Sequence, residues 1–161
     1  MISRTTVERT SDRELVATRT VDGPAHLVFE AWTKPELIMR WWTPASFGIT
    51  FLSCEIDART GGSYRFVFSH ASSEQPMAFF GRYLEVTPNA RLVWTNEESE
   101  DGAVTTVTFE EEDGRTRVVV HDLYPSKDAL DAAIASGSTG GIGETFAQLE
   151  ELLGTLDAGR S

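Results

Sequence analysis

Six short segments in which polar and apolar residues alternate constrain the fold of this chain more than any other feature of its sequence. Alternation with a period of two is typical of β-strands that bury one face. Asp101-Gly102 and Asp113-Gly114 between such segments are strong signals for tight hairpins. The pattern therefore predicts an antiparallel meander whose strands occupy residues 49–56, 64–68, 77–86, 91–96, 104–110 and 115–122.

Two short helices are predicted between this meander and an earlier strand at residues 14–21. Pro24 suits the first turn of a helix, and apolar residues follow it at helical spacing as far as Trp32. Thr33 and Glu36 have the spacing of a capping box, which indicates that a second short helix starts there. We expect this second helix to carry Trp41 and Trp42.

The end of the chain is predicted to be helical. Residues 126–135 read as a short helix, and a Gly/Ser-rich stretch then interrupts the pattern. Beyond it, one apolar stripe recurs at helical spacing and predicts a longer C-terminal helix that ends at Gly154. The stripe comprises Ile142, Phe146, Leu149 and Leu153.

These elements predict an α+β fold in which a helix covers an aromatic sheet face. Tyr64, Phe66 and Phe68 share one face of a strand, and the C-terminal stripe is the surface suited to bury them. The length of 161 residues suits a single domain. We expect that domain to span residues 13–155, with flexible segments at residues 1–12 and 156–161.

The net charge and the single cysteine limit the classes of partner and the cellular compartment that we expect. A net charge of −11 disfavours binding to nucleic acid or to anionic lipid. With one cysteine, Cys54, no disulfide can form within the chain. The sequence contains no stretch of 18 apolar residues, and its polar first residues do not resemble a secretion signal. We therefore expect a cytoplasmic protein with no membrane span.

Acidic residues concentrate between Glu97 and Asp113, where eight acidic and no basic residues occur. The simpler interpretation is two solvated hairpin tips. The functional alternative is a docking face for a basic protein partner.

Four segments, in this order and spacing, resemble a known family. They read VFEAWTKPELIMRWWTP at residues 28–44, DARTGGSYRF at 57–66, FGRYLEVTPNARLVWT at 80–95 and VTFEEEDGRTRVVV at 107–120. The chain resembles the AHSA-type family (activator of heat-shock-protein-90 ATPase homologue-like) of the START-like, helix-grip superfamily, also called SRPBCC. The family often shows Gly-Trp where this chain has Gly141-Ile142. The smaller side chain leaves more room beneath the helix, or its neighbours have repacked.

The resemblance implies a helix-grip fold, with a curved antiparallel sheet wrapped around the C-terminal helix and a cavity between them. Superfamily relatives use this cavity for lipids, polyketides, hormones or flavonoid-like molecules, and some are enzymes. The eukaryotic namesake is a co-chaperone, which implies a role in the stress response. Fold by itself does not settle function.

The sequence shows no catalytic, metal or cofactor motif. His26, His70 and His121 lack zinc-site spacing, and residues 137–143 are glycine-rich but lack the end of a phosphate-binding loop. We therefore predict no metal, no cofactor and no catalytic residue. His121, late in its strand, is the candidate polar residue of the cavity.

The aromatic residues are the strongest functional signal. An ordinary core explains most of them, and a pocket lined by a subset is the alternative. Strand alternation and the helix stripe predict the lining residues Trp42, Phe68, Phe80, Trp94, Phe109, Ile142 and Phe146.

Three hypotheses about function follow. The first is binding of a small hydrophobic molecule, such as a lipid, polyketide or flavonoid-like compound, in a cavity between sheet and C-terminal helix. The second is a co-chaperone-like interaction module that uses the acidic hairpins. The third is an enzyme acting on a hydrophobic substrate, with His121, Asp122, Tyr64 and Arg65 as the polar candidates. The sequence leaves monomer and homodimer equally open.

Overall fold

The computed structural model of the chain describes residues 5–42, 48–70, 75–97, 102–135 and 142–158. Within these ranges it contains eight strands and four helices, which confirms the predicted α+β class. The strands are β1 Thr6–Arg9, β2 Glu14–Asp22, β3 Ile49–Ile56, β4 Ser63–His70, β5 Met77–Thr87, β6 Arg91–Thr95, β7 Val104–Glu112 and β8 Arg115–Leu123. The helices are α1 Ala25–Thr33, α2 Pro35–Ile38, α3 Lys127–Ala135 and α4 Ile142–Ala158.

In the described part of the chain the strands form one antiparallel sheet in the order β1-β2-β8-β7-β6-β5-β4-β3. Sequential strands are neighbours except where β2 pairs with β8. The two halves of the sheet meet across β5, where the register shifts between Tyr83 and Glu85. A second shift lies between Phe51 and Ser53 on β3. Such irregularities increase the local bend of a strand, which suits a sheet that curves around a helix.

Three local predictions need correction. Residues 6–9, expected in a flexible N-terminal segment, form β1 and pair with β2. Thr33 forms no capping box, because its hydroxyl bonds to the Phe29 carbonyl oxygen and Lys34 is the residue before α2. Helix α4 continues past Gly154 to Ala158, so Gly154 lies inside the helix.

One face of the sheet, called the inner face below, carries the core. Buried residues of α1, α4 and six strands form one cluster with the residues around α2. On α4 the buried side chains are Phe146, Leu149, Leu152 and Leu153, so the predicted stripe does cover the sheet. The Gln148 side-chain amide also donates to the Trp41 carbonyl oxygen at 3.0 Å, which ties α4 to the segment after α2.

An ion pair fastens α4 to the sheet. Arg19 points from β2 to Glu150 on α4, and its Nε donates to the carboxylate at 2.7 Å. The two side chains are only 12% and 18% exposed. Because a charge this deeply buried loses much of its hydration, its partner is needed to offset that loss.

Glu150→Ala is expected to lower the free energy of unfolding by about 3 kcal/mol, because it leaves the Arg19 guanidinium buried without its carboxylate. Urea denaturation measures the change. The matched control is Glu151→Ala, one residue along the same helix at an exposed position, where we expect a change within about 0.5 kcal/mol. Equal effects of the two substitutions would contradict a stabilising role for the ion pair.

Candidate functional site

Aromatic rings in mutual contact cross the inner face from the β3–β5 end of the sheet to α1. We call this series the aromatic run: Phe79, Phe68, Phe51, Phe66, Trp42 and Trp32. The centroids of successive rings are 5.2, 4.4, 5.7, 5.8 and 5.6 Å apart. The contacts are edge-to-face or tilted, which is the arrangement that the charge distribution of aromatic rings favours.

The aromatic run is open to solvent at one end and closed at the other. Phe79 is 37% exposed and Trp32 is 4% exposed. Next to Phe79, the Met77 side chain is also 37% exposed, while Ile49 and Phe51 are half-buried on the same face. We call these four residues, Ile49, Phe51, Met77 and Phe79, the apolar mouth.

At the closed end, the Trp32 indole N–H is buried and has no hydrogen-bond partner in the part of the chain that the structure describes. Neighbouring Trp41 is equally buried, but its indole N–H donates to the Ala31 carbonyl oxygen at 2.9 Å. Leaving a buried donor unsatisfied costs about 1–3 kcal/mol. The Trp32 N–H is therefore a specific polar feature inside an otherwise apolar cluster.

Polar side chains on the inner face form a second feature, which we call the polar ladder: Tyr64, Asn96, Thr105 and Asp122. The Tyr64 hydroxyl donates to the Thr95 carbonyl oxygen at 2.7 Å and lies 3.2 Å from the Asn96 side-chain oxygen. The Asn96 amide donates to the Thr105 hydroxyl at 3.0 Å, and that hydroxyl donates to the Asp122 carboxylate at 2.6 Å. Cross-strand register places Thr105 and Asp122 opposite each other on β7 and β8.

Burial raises the pKa of the Asp122 carboxyl, although the Thr105 hydrogen bond and the charge of His121 both act to lower it. The same environment raises the pKa of Tyr124 to about 12, through burial and the charge of Asp122. A carboxyl group with a raised pKa beside an apolar surface suits either recognition of a polar group or proton transfer.

Cys54 also lies on the inner face, half-buried among the core side chains. Burial, with the charges of Glu36 and Glu55, raises its thiol pKa to about 11. A thiol with such a pKa is a poor nucleophile at neutral pH. Among the residues that the structure describes, no three His, Cys, Asp or Glu side chains come together in an arrangement that would hold a metal ion.

Five of the predicted lining residues lie in the core or pack against it, three of them on the sheet and two in the helical layer. The ring centroids of Trp42 and Trp94 are 6.3 Å apart. The Trp32 ring contacts both of them and also contacts Phe109. Phe68 lies in the aromatic run, and Phe146 is buried on α4. Helix α4 begins at Ile142, whose side chain is outside the described residues. Whether these residues bind a ligand stays a prediction.

Phe80 is placed wrongly by the sequence prediction. It is 40% exposed on the outer face of the sheet, and its neighbour Phe79 takes the inner position. Tyr83 and Gly81 are both buried on the inner face. Because every second residue of a strand points to the same face, Phe79 points inward with them. Phe80 lines an open groove of about 640 Å³ on the outer side, together with Arg65 and Arg82.

His121 is also on the outer face, so it does not point to the inner face as predicted. Its Nε2 lies 2.7 Å from a Glu14 carboxylate oxygen, across the β2–β8 pair. This hydrogen bond is the main reason that the pKa of Glu14 is lowered. The next residue, Asp122, takes the inner position because neighbouring strand residues point to opposite faces.

The acidic residues that the structure describes between Glu97 and Asp113 lie at two different places on the sheet. Glu97 follows β6 at one end of β7, and Glu110 to Asp113 lie at the other end. Along β7, Val104, which pairs with Thr95, lies about 20 Å from Glu110 and about 27 Å from Glu112. Glu111 is also already engaged, since its carboxylate accepts a hydrogen bond from the Ala25 N–H at the start of α1 at 2.7 Å. Residues 98–101 lie outside the described part of the chain.

The sequence prediction missed Trp32, Phe79 and the polar ladder as site features. The alternation Phe79, Gly81, Tyr83 was the signal that could have identified Phe79. Asp122 was noted only as a candidate of the enzyme hypothesis. The hydrogen bonds of Asn96 and Thr105 had no sequence signal, because they join residues on different strands.

None of the helices in the described ranges has the length and hydropathy needed to span a bilayer.

Comparison with known proteins gives a consistent result. The family model described as "Activator of Hsp90 ATPase homolog 1-like protein" matches residues 22–154. None of the curated proteins compared matches the chain. Several solved structures do, and they show the helix-grip fold that the resemblance implied.

Three of these structures illustrate the range of similarity. A Rhodobacter sphaeroides protein is 21% identical, with 94% of this chain and 99% of that chain covered and a TM-score of 0.85. A Staphylococcus epidermidis protein is 28% identical, with 93% and 94% covered and a TM-score of 0.77. An AHSA1-like protein from Aeromonas hydrophila is 19% identical, with 88% and 94% covered and a TM-score of 0.68.

Asp122→Asn is expected to stabilise the protein at pH 7 and to leave its stability nearly unchanged at pH 3. The pKa of Asp122 is higher in the folded state than in the unfolded state. The folded wild type therefore loses stability as the pH rises from the unfolded to the folded pKa. Asparagine stays neutral and still accepts the Thr105 hydrogen bond. Thermal melts of both proteins between pH 3 and 7 measure the difference, and a difference that is constant with pH would contradict the raised pKa.

Proposed function

The chain belongs to the activator of Hsp90 ATPase homolog 1-like family, and on this premise we propose that it binds a small hydrophobic molecule on the inner face of the sheet, beneath α4. The fold is consistent with ligand binding or with a binding module. The bound molecule would be a lipid, a polyketide or a flavonoid-like compound.

The observation that carries the proposal is the apolar mouth. A face whose only task is to fill the core buries its large apolar side chains, but Phe79 and Met77 remain 37% exposed there. They continue directly into buried rings through the contact between Phe79 and Phe68. Exposed apolar surface that leads into an aromatic interior is typical of a ligand site.

The polar ladder supports the same proposal. Ligand pockets are mostly apolar but contain a few placed polar groups that fix the orientation of the ligand. Asp122 and Thr105 supply such groups on the inner face, within a hydrogen-bonded series that reaches Tyr64. We propose that they bind the polar end of the molecule.

A titration of ¹⁵N-labelled protein with oleate, cholesterol, naringenin and an aromatic polyketide, followed by two-dimensional NMR, tests the proposal. We expect one compound class to shift the indole signals of Trp42 and Trp94 saturably, because Trp42 belongs to the aromatic run and Trp94 contacts Trp42. If no compound moves any indole signal, the proposal is wrong for these classes.

Phe79→Ser and Phe80→Ser form a matched pair, because the two residues are adjacent and similarly exposed on opposite faces. Phe79→Ser is expected to weaken binding of the compound found above by about tenfold, since it removes an aromatic contact at the mouth. Phe80→Ser should leave the affinity unchanged. Calorimetric titration measures both, and equal losses would place the ligand elsewhere.

An acid–base reaction on the bound molecule is a second candidate function, favoured by the raised pKa of Asp122. The test is to incubate the bound compound with the protein and to analyse it by mass spectrometry. A product formed by the wild type and not by Asp122→Asn would support catalysis. An unchanged compound in both samples would support binding alone.

A further inference from the structure

We infer that the molecule bound on the aromatic run carries a neutral hydrogen-bond acceptor, such as a ketone oxygen, that accepts the Trp32 indole N–H. This inference rests on the proposed function and goes further, because it assigns the ligand a chemical class and makes Trp32 a specificity-determining residue.

The first argument is the buried, unpartnered donor itself. Trp32 is 4% exposed, so bulk water does not reach its N–H, and no acceptor among the described residues bonds to it. The surrounding side chains are rings, at centroid distances between 4.7 and 6.2 Å, and their faces are at most weak acceptors. An acceptor atom from a bound molecule would complete the site.

The second argument is the contrast with Trp41. Its ring contacts Trp32 at 4.7 Å and is buried in the same cluster. The fold nevertheless provides its N–H with the Ala31 carbonyl oxygen. Buried polar groups are satisfied in the great majority of native structures. The exception at Trp32 therefore marks a position where a partner from outside the chain belongs.

The third argument is position. Trp32 ends the aromatic run that begins at the exposed Phe79, so a planar molecule that enters at the apolar mouth reaches the N–H at its inner end. Half-buried Trp42 lies between the two ends, in contact with both Phe66 and Trp32. Because these rings are in contact with one another, the Trp42 ring has to move for a molecule to reach the Trp32 N–H.

The fourth argument favours a neutral acceptor over a carboxylate. A carboxylate among these rings would lose its hydration, and it would need a cation to offset that loss. Arg19, which β2 presents toward α4, is already paired with Glu150. A ketone or ether oxygen accepts the N–H without that cost. The ligand is thus an apolar carbonyl or ether compound, and a fatty acid fits the Trp32 end poorly.

Two planar probes of nearly equal shape test the inference: 9-fluorenone, which has a ketone oxygen, and fluorene, which has a methylene group instead. Titration of the ¹⁵N-labelled full chain is followed through the indole N–H signals. We expect 9-fluorenone to bind about fivefold more tightly, the effect of one net hydrogen bond. It should also move the Trp32 indole proton downfield, and fluorene should not.

Trp32→Phe keeps an aromatic ring and removes the N–H, so it should bind the two probes equally. The matched control is Trp41→Phe, which removes an N–H already bonded to Ala31 and should keep the preference for 9-fluorenone. Circular dichroism checks that each variant folds. If Trp32→Phe does not fold, the downfield shift of the wild-type Trp32 signal decides the question.

The possible failures are distinguishable. Equal binding of both probes by the wild type, or a preference that survives in Trp32→Phe, overturns the role of Trp32 and leaves the proposed function standing. If neither probe binds, the inference is also overturned. If oleate, cholesterol, naringenin and the aromatic polyketide also leave the indole signals unchanged, the proposed function is wrong as well.

Discussion

The packing of Trp32 against four other rings is the interaction on which the rest of the structure depends. Trp32 belongs to α1, and its partners come from the segment after α2, from β6 and from β7. The cluster therefore holds the helical layer on the sheet. Large aromatic side chains bury much apolar surface each, and burial of such surface is the main favourable term in folding. The same cluster contains the unpartnered N–H of Trp32, so one group of residues stabilises the fold and offers a binding feature.

The inner face combines this apolar surface with charge in two different ways. Arg19 and Glu150 offset each other and fasten α4 to β2, which is a structural use of buried charge. Asp122 accepts a hydrogen bond from the Thr105 hydroxyl, and burial raises its pKa. A protein that departs from complete polar satisfaction usually does so where it functions. Trp32 is such a departure within the described residues, and Asp122, with its raised pKa, lies on the same face.

Two residues that the sequence analysis predicted on the inner face lie on the outer face. Phe80 and His121 both lie there, the first beside an open groove and the second paired with Glu14. The acidic segments are spread over the two ends of β7, and part of their charge is used internally. Glu111 accepts the first N–H of α1, and Glu110 lies 3.7 Å from Arg117. The family fits ligand or protein binding in general, but the acidic residues that the structure describes do not share one docking face.

The sequence by itself determined the strands other than β1, the two short helices, the helix that covers the sheet and the family. These follow from local signals: period-two alternation, turn residues and an apolar helical stripe, each contained within a few neighbouring residues. It also identified most of the aromatic residues that meet on the inner face. Tertiary structure decided which of Phe79 and Phe80 faces inward. The irregularity between Tyr83 and Glu85 lets both Tyr83 and Val86 pack on the core, and counting back by twos from these two residues gives opposite answers. It also decided that Asp122 and not His121 belongs to the inner face. The unpartnered N–H of Trp32 could be found only there, since whether a donor is satisfied depends on atoms that distant parts of the chain bring to it.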